Sequence, residues 1–204
     1  MNLPEIEKNN VVDVYSKISK DFSRTRYKVW PNVEEFIKSF PNDTKFLEVG
    51  CGNGKNMLLR PNEFKGCDIC KEFVELCTER NLDVIEADAT ELPFSNLSFD
   101  VTISVAVIHH LSTVERRMKA INEMLRVTKK GGKLLIEVWS LENNDKADGS
   151  DTMISWSLRG KMYERYYHFF EKNEIVKLIK NANDCMIDTI LWEKSNWVLH
   201  VTKN

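Results

Sequence analysis

The sequence has no long apolar run and no excess of charge of either sign. Its most apolar stretch, Val101 to Ile108, is far shorter than the roughly 20 residues that cross a bilayer. The first ten residues hold no apolar block, which argues against a secretory signal peptide. The chain has 29 basic and 31 acidic residues and a net charge of −2. This balance argues against a protein that coats nucleic acid by charge alone. We therefore expect no membrane partner.

Cysteine is also scarce, with five residues in 204. Without a secretory context, so few cysteines favour a reduced intracellular protein, and we expect the cytoplasm, with the nucleus as a second compartment. The pair Cys67-x-x-Cys70 has no second C-x-x-C to complete a zinc set. We therefore predict no metal site.

The length favours a single domain over residues 1–204. Residues 1–40 are expected to form a helical arm and cap. Residues 142–170 are expected to supply a loop and a lid over the active site, with Met153 to Phe170 partly helical.

The central feature is an apolar run, Phe46 to Val49, followed by three glycines at alternate positions. This pattern indicates a strand, a tight turn and a helix-like start, where backbone N–H groups approach a polar ligand closely. The spacing is G-x-G-x-G, whereas a dinucleotide site requires G-x-G-x-x-G. Glu48 stands two residues ahead of the first glycine, and a carboxylate there suits a cationic ligand without phosphate. The segment resembles motif I of the class I S-adenosylmethionine (SAM) methyltransferases.

Acidic residues after the second and third predicted strands strengthen the cofactor prediction. Asp68 can accept both hydroxyls of a ribose, and Asp88 with Ala89 can bind an adenine amino group and ring nitrogen. Ligands bind at the carboxyl ends of parallel strands, where these residues converge. The predicted cofactor is therefore SAM. The residues predicted to contact it are Glu48, Gly50, Cys51, Gly52, Gly54, Asp68, Ile69, Asp88, Ala89 and Ala106.

Apolar runs alternate with helical patterns along the chain, which predicts an α/β fold with a doubly wound, mainly parallel sheet. The predicted helices include Val11 to Lys20 and one that starts at Trp30-Pro31. The predicted strands are Phe46 to Val49, Phe64 to Asp68, Asp83 to Glu86, Phe99 to Ile108, Lys133 to Trp139, Met186 to Trp192 and Trp197 to Thr202. The last two are expected to form a hairpin at the edge of the sheet.

Four strings carry a closer resemblance: Thr25-Arg26-Tyr27-Lys28-Val29-Trp30-Pro31, Val49-Gly50-Cys51-Gly52-Asn53-Gly54-Lys55, Ile108-His109-His110-Leu111-Ser112-Thr113-Val114-Glu115-Arg116-Arg117, and Arg165-Tyr166-Tyr167-His168. Together they resemble the eukaryotic tRNA wobble-uridine carboxymethyl methyltransferases, from about Val14 to Trp197. The resemblance implies a Rossmann-like class I fold, with a mainly parallel seven-stranded sheet and one antiparallel strand. It also implies SAM-dependent esterification of 5-carboxymethyluridine in the tRNA anticodon loop.

The same resemblance implies a partner. Members of the family bind a small zinc-binding activator subunit that adds a strand to the sheet. The third-strand edge, Asp83, Val84, Ile85 and Glu86, is where we expect this heterodimer to form, because an unpaired ladder invites a strand.

A carboxylate nucleophile is already ionised at pH 7, since its ordinary pKa is about 4. Methyl transfer then needs alignment, exclusion of water and a positive group near the carboxylate, but no general base. Our hypothesis assigns these tasks to Arg26, Tyr27, His109, Arg165, Tyr167 and His168.

Other residues in these strings have two interpretations each. Arg116 and Arg117 contact phosphate or are simply solvated. Tyr166, Tyr167, Phe169 and Phe170 stack on an anticodon base or belong to the core.

Two other functions remain open on the sequence alone. One is a SAM-dependent methyltransferase of a small carboxylic acid or quinone-type metabolite, which the balanced charge permits. The other is a non-catalytic partner subunit that binds SAM only for stability.

Overall fold

A seven-stranded sheet runs through the centre of the computed structural model, which describes residues 3–182 and 184–204. The strands lie in the order β3-β2-β1-β4-β5-β9-β8. Strands β1 to β5 are parallel to one another, and β9 is antiparallel to both β5 and β8. The predicted mainly parallel sheet with one antiparallel strand is confirmed. The strands are β1 Phe46–Val49, β2 Phe64–Asp68, β3 Val84–Glu86, β4 Phe99–Val105, β5 Thr128–Trp139, β8 Cys185–Glu193 and β9 Asn196–Lys203.

Helices cover both faces of this sheet: α3 Pro31–Lys38, α4 Lys71–Glu79, α5 Val114–Val127 and α6 Lys172–Asn181. Successive side chains of a strand point to opposite faces, and the core divides accordingly. Leu134 and Ile136 of β5 pack in the cluster that contains α5 and α6, whereas Leu135 packs in the cluster that contains α3. Burial on both faces explains why the central strands are nearly continuous apolar runs.

The N-terminal arm is helical from Glu5 to Thr25. It comprises α1 Glu5–Glu7, a π-helical turn Lys8–Val12 and α2 Asp13–Thr25. Its inner face packs Tyr15 and Ile18 into a cluster with Phe73 and Tyr166. The helix thus continues beyond the predicted end at Lys20.

The arm is tied to the turn after β1 through one side chain. The Asn53 amide donates to the Ser23 hydroxyl at 3.2 Å and to the Arg26 carbonyl at 3.0 Å. Arg80 supports the junction by donating to the Asn53 carbonyl and to the Ser23 hydroxyl. The end of α2 is therefore fixed directly over the glycine turn.

The segment from Met153 to Phe170 is a β-hairpin, so the prediction of a partly helical segment is wrong. Strands β6 Asp151–Leu158 and β7 Lys161–His168 pair antiparallel and form a separate two-stranded sheet. The turn residues Arg159 and Gly160 both have positive φ, as a two-residue hairpin turn of the favoured hand requires. Strand β5 also begins earlier than the predicted Lys133, at Thr128.

Replacing Asn53 with Ala is predicted to loosen the arm without unfolding the sheet. Loss of its buried amide removes hydrogen bonds worth about 1–3 kcal/mol in total, so the arm opens more often. Trypsin should then cleave at the exposed Arg24 and Arg26 at least about fivefold faster. Asn9→Ala, an exposed site on the same arm, is the control, and equal cleavage of the two variants would contradict the tether.

Candidate active site

A large cavity lies at the carboxyl ends of β1, β2 and β4, beneath the N-terminal arm. It encloses about 1410 Å³ not filled by protein atoms, including the open solvent at its mouth. One side is formed by the glycine turn and the loops after β2, β3 and β4. The opposite side is formed by the arm, by Trp139 of β5 and by β7. Nine of the ten predicted cofactor residues line it: Glu48, Gly50, Cys51, Gly52, Asp68, Ile69, Asp88, Ala89 and Ala106.

The three glycines have different roles. Gly50, Gly52 and Gly54 all have positive φ, which glycine adopts without strain. The Gly52 N–H donates to the Asp68 carboxylate at 2.8 Å, and open space lies where its side chain would be. Gly54 does not line the cavity, in contrast to the prediction. A Cβ there would overlap Leu82, which follows α4, so this glycine allows the turn to pack closely against the end of that helix.

Glu48 is the most deeply buried carboxylate of the cavity, with 1% of its surface exposed. One oxygen accepts a hydrogen bond from Asn56 at 2.7 Å, and the other has no partner among the described residues. Burial raises the pKa of Glu48 to about 8. An unpaired buried oxygen is costly unless a ligand satisfies it, so the site fits a ligand with an ammonium group.

Asp68 and Asp88 are both buried beside this position. Asp68 accepts backbone N–H groups from Gly52 and Cys70, which leaves lone pairs on each oxygen for ligand hydroxyls. Burial raises the pKa of Asp68 to about 6, so it is mostly ionised at pH 7. Burial acts on Asp88 in the same direction, but hydrogen bonds from Arg116 and Thr90 outweigh it and lower the pKa of Asp88. These carboxylate acceptors therefore fit the amine and the ribose hydroxyls of the expected cofactor.

Arg116 and Arg117 are structural, so neither predicted interpretation is right. Arg116 bridges Asp88 and the buried Glu7 of the arm, with N···O distances of 2.9 Å to each. Arg117 is 3% exposed and donates to the Leu111 carbonyl at 2.9 Å. Neither guanidinium is free for a phosphate.

The side of the cavity formed by the arm and β7 is cationic and aromatic. Arg165 is buried, donates to the Tyr167 hydroxyl at 2.8 Å and leaves its Nε without a partner among the described residues. The Tyr167 ring stacks against His109 and Trp139, with centroids 4.9 and 4.6 Å away. Arg26 lies at the mouth, its guanidinium 5.6 Å from the Trp156 ring. Arg26, His109, Arg165 and Tyr167 thus converge on one cavity.

His109 is a neutral hydrogen-bond donor in this arrangement. Its Nδ1 accepts the Trp139 backbone N–H at 3.2 Å, so the proton of the neutral ring is on Nε2. That Nε2 has no partner among the described residues. Burial, with His110, Arg165 and His168 nearby, holds the pKa of His109 well below its usual value. The ring can therefore donate to a substrate anion without carrying charge.

Two predicted catalytic residues lie outside the cavity. Tyr27 is 69% exposed and points away from the lining. The His168 side chain lies on the face of β7 opposite to Arg165 and Tyr167, where its ring nitrogens contact Asp151 at 2.8 Å and Glu174 at 2.7 Å. Their positions do not support contact with a group that reacts inside the cavity. Tyr166, Phe169 and Phe170 are likewise buried core residues.

The residues that line the cavity and were not predicted from the sequence include Tyr15, Trp30, Lys55 and Trp139. The Lys55 ammonium lies 5.2 Å from the Trp30 ring and forms no salt bridge within the described ranges. Burial lowers its pKa, although Glu48 and Glu137 act against this shift. Lys55 directly follows the last glycine of the motif, and this was the signal that could have identified it.

Two features are absent from the described residues. No group of three or more His, Cys, Asp or Glu side chains is arranged to hold a metal ion. No helix there is long and apolar enough to span a membrane.

Comparison with known proteins gives consistent matches. A family model described as "Methyltransferase domain" matches residues 47–136. A Schizosaccharomyces pombe protein named tRNA (carboxymethyluridine(34)-5-O)-methyltransferase is 35% identical, over 98% of this chain and 99% of its own length. An Arabidopsis thaliana protein of the same name is 47% identical over 70% of this chain, which spans 35% of that relative. A SAM-dependent methyltransferase structure from Methanosarcina mazei superposes with a TM-score of 0.71 at 20% identity, covering 86% of this chain and 98% of the other.

Cofactor affinity is predicted to rise with pH between about 6.5 and 8.5. A bound ammonium group stabilises the ionised form of Glu48, so below its pKa of about 8 binding must release a proton. The affinity for S-adenosylhomocysteine should fall by up to about tenfold per pH unit below that value and level off above it. Calorimetry at pH 7 in buffers of different ionisation enthalpy should show release approaching one proton.

Two isosteric variants test whether Glu48 is the group that titrates. Glu48→Gln should abolish the proton release. Glu137→Gln should retain it, because Glu137 has a pKa also raised to about 8 by burial but does not line the cavity. A pH-independent affinity in the unmodified protein would contradict the assignment of Glu48.

Proposed function

The chain belongs to the family of the tRNA (carboxymethyluridine(34)-5-O)-methyltransferases, and from that premise we propose that it esterifies 5-carboxymethyluridine at the wobble position of tRNA. It is a SAM-dependent methyltransferase. The observation that carries the proposal is the division of charge within the cavity. Glu48, Asp68 and Asp88 supply carboxylates on the side of the glycine turn, where Lys55 also lies and Arg116 is paired with Asp88. Arg26 and Arg165 supply the cations on the side of β7 and the end of the arm.

The cationic side suits an anionic nucleophile. The substrate carboxylate is ionised at pH 7 and needs to be oriented, not deprotonated. The buried guanidinium of Arg165 supplies the charge that fixes it, and the Nε2–H of His109 supplies a neutral donor. Because the pKa of both His109 and His110 lies far below 7, neither ring protonates the carboxylate. Bound SAM supplies an electrophilic methyl group on a sulfonium.

Water is excluded from this region by aromatic rings from three elements. Tyr15 comes from the arm, Trp139 from β5 and Tyr167 from β7. Removing water strengthens the attraction between Arg165 and the carboxylate and protects the methyl donor from hydrolysis.

Loss of the Arg165 charge is predicted to abolish most turnover while leaving the cofactor bound. Arg165→Met should lower kcat/KM on tRNA bearing 5-carboxymethyluridine by about 100-fold or more, since a buried charge-assisted contact is removed. S-adenosylhomocysteine affinity should stay within about twofold. Nucleoside mass spectrometry of undermodified tRNA measures the methyl ester.

Lys161→Met on the same strand is the matched control, because Lys161 is exposed and does not line the cavity. It should leave kcat unchanged. If the protein methylates a small carboxylic acid but no tRNA, the proposed substrate is wrong. If it forms no product from tRNA or from any small acid, it is a non-catalytic subunit.

We also propose that a small zinc-binding activator subunit pairs with β3. Support comes from the sheet order, in which β3 is an edge strand bonded to β2 alone, and from the exposure of Ile85 and Glu86. The Asp83 carbonyl and the Ala87 N–H face β2, so in a parallel ladder the N–H groups of Val84 and Glu86 face the open edge.

This geometry gives a selective test. Glu86→Pro removes an outward N–H without breaking the β2 ladder and should abolish co-purification with the activator at unchanged melting temperature. Glu86→Ala keeps the N–H and should bind normally. Equal binding by the two variants would rule out pairing at this edge.

For localisation we propose the cytoplasm. The five free cysteines and the proposed tRNA substrate support a reducing compartment where tRNA is modified.

A further inference from the structure

The basic residues of this chain are unevenly distributed. Residues 17–28 contain five cations and one acid, a net charge of +4 in a chain of net −2. The remaining residues therefore carry −6. A local field of this kind attracts a polyanion even though the whole protein is weakly acidic.

Three of these cations form a stripe along α2. Lys17, Lys20 and Arg24 follow one another at intervals of three and four residues, which places them on one helix face. All three are exposed, whereas Tyr15 and Ile18 on the opposite face are buried. Lys17 and Lys20 form no salt bridge with any residue in the described ranges, and Arg24 forms an exposed one with Asp21.

The stripe leads directly to the mouth of the active site. The distance from Lys17 to Arg24 along the helix axis is about 10 Å, along which a nucleic-acid strand presents about three phosphates. After α2 ends at Thr25, Arg26 lies at the cavity mouth, and Tyr27 is 69% exposed beside it. The Lys28 ammonium lies 5.9 Å from the Tyr27 ring. An exposed aromatic flanked by cations is the usual platform for an unpaired base.

We propose that this surface, the arm face (Lys17, Lys20, Arg24 and Tyr27), binds the RNA strand that enters the active site. The three cations contact phosphates, and Tyr27 stacks on an unpaired base next to the reactive nucleotide. The inference rests on the proposed tRNA substrate and assigns it a binding surface outside the cavity.

The composition of the arm face favours RNA over a membrane. Helices that lie on a bilayer insert an apolar face into it. The apolar residues of α2, such as Val14 and Ile18, are buried against the protein, and the exposed side is charged.

A matched pair of double charge reversals tests the phosphate contacts. Lys17→Glu/Lys20→Glu alters the arm face, and Lys177→Glu/Lys180→Glu alters two exposed lysines with the same spacing on α6. Binding is measured by fluorescence anisotropy, with an anticodon stem–loop RNA that carries 5-carboxymethyluridine at the wobble position. The arm-face variant should bind at least about tenfold more weakly at 100 mM salt. Its salt slope should be smaller by about 2.

The same variants should separate binding from chemistry. The arm-face variant should keep the kcat of the unmodified protein at saturating RNA, and its affinity for S-adenosylhomocysteine should be unchanged. The α6 variant should bind RNA within about twofold of the unmodified protein.

A single substitution tests the stacking contact. Tyr27→Ala should weaken stem–loop binding by about tenfold with the salt slope unchanged, because stacking involves no counterion release. Tyr27→Phe and Tyr27→Trp should restore the affinity, which a hydroxyl-dependent or purely structural role would not allow.

The outcomes distinguish this surface from the reaction itself. If the unmodified protein esterifies tRNA but the arm-face and Tyr27 variants bind RNA as tightly as it does, the proposed RNA-binding surface is wrong. The proposed reaction is then still supported. No ester on any tRNA, with binding still lost in the arm-face variant, would support the surface and overturn the reaction. Loss of binding only to phosphatidylserine vesicles, and not to RNA, would overturn the proposal in favour of a membrane contact.

Discussion

The hydrogen bond from the Gly52 N–H to the Asp68 carboxylate, at 2.8 Å, sets the geometry on which the site depends. It fixes the turn after β1 against the end of β2, and so places Glu48 and Asp68 at a constant separation on neighbouring strands. The next residue, Asn53, uses its side chain to hold the arm. The glycine turn therefore positions both these carboxylates and the arm that covers the cavity. A shift of the turn would displace both, which explains why three positive-φ positions are concentrated there.

The site retains buried polar atoms that the protein leaves unsatisfied. Glu48 Oε2, Arg165 Nε and His109 Nε2 have no partner among the described residues. Each such atom costs about 1–3 kcal/mol in a folded protein without a ligand. Their signs match the two sides of the cavity: an acceptor lies beside the glycine turn, and two donors lie beside β7 and β4. Ligands that bring an ammonium group to the first and a carboxylate to the second would recover that energy on binding.

The fold and most of the cofactor side could be predicted from the sequence because both depend on local patterns. Apolar runs specify buried parallel strands, and alternate glycines specify the turn. The hairpin β6–β7 was missed although Ile154, Trp156 and Leu158 alternate with exposed residues, since aromatic and methionine side chains obscured the period of two. The same period of two explains why His168 lies outside the cavity, because Arg165 and Tyr167 share one face of β7 while Tyr166 and His168 occupy the other. Arg116 was unpredictable, since its partner Glu7 lies 109 residues away.

The arm connects recognition outside the cavity with orientation inside it. The Tyr15 hydroxyl contacts Arg165, Tyr167 and the Nε2 of His110, at 3.4, 3.2 and 3.1 Å. The Arg165 guanidinium, which we propose faces the substrate carboxylate, is therefore positioned by a residue of α2. On the proposed arm face, RNA binds the opposite side of the same helix. Tyr15 contacts Arg165 from the inner side, so the phosphate contacts outside add affinity and are not needed to orient Arg165. Substrate selection and alignment of the nucleophile then depend on one helix.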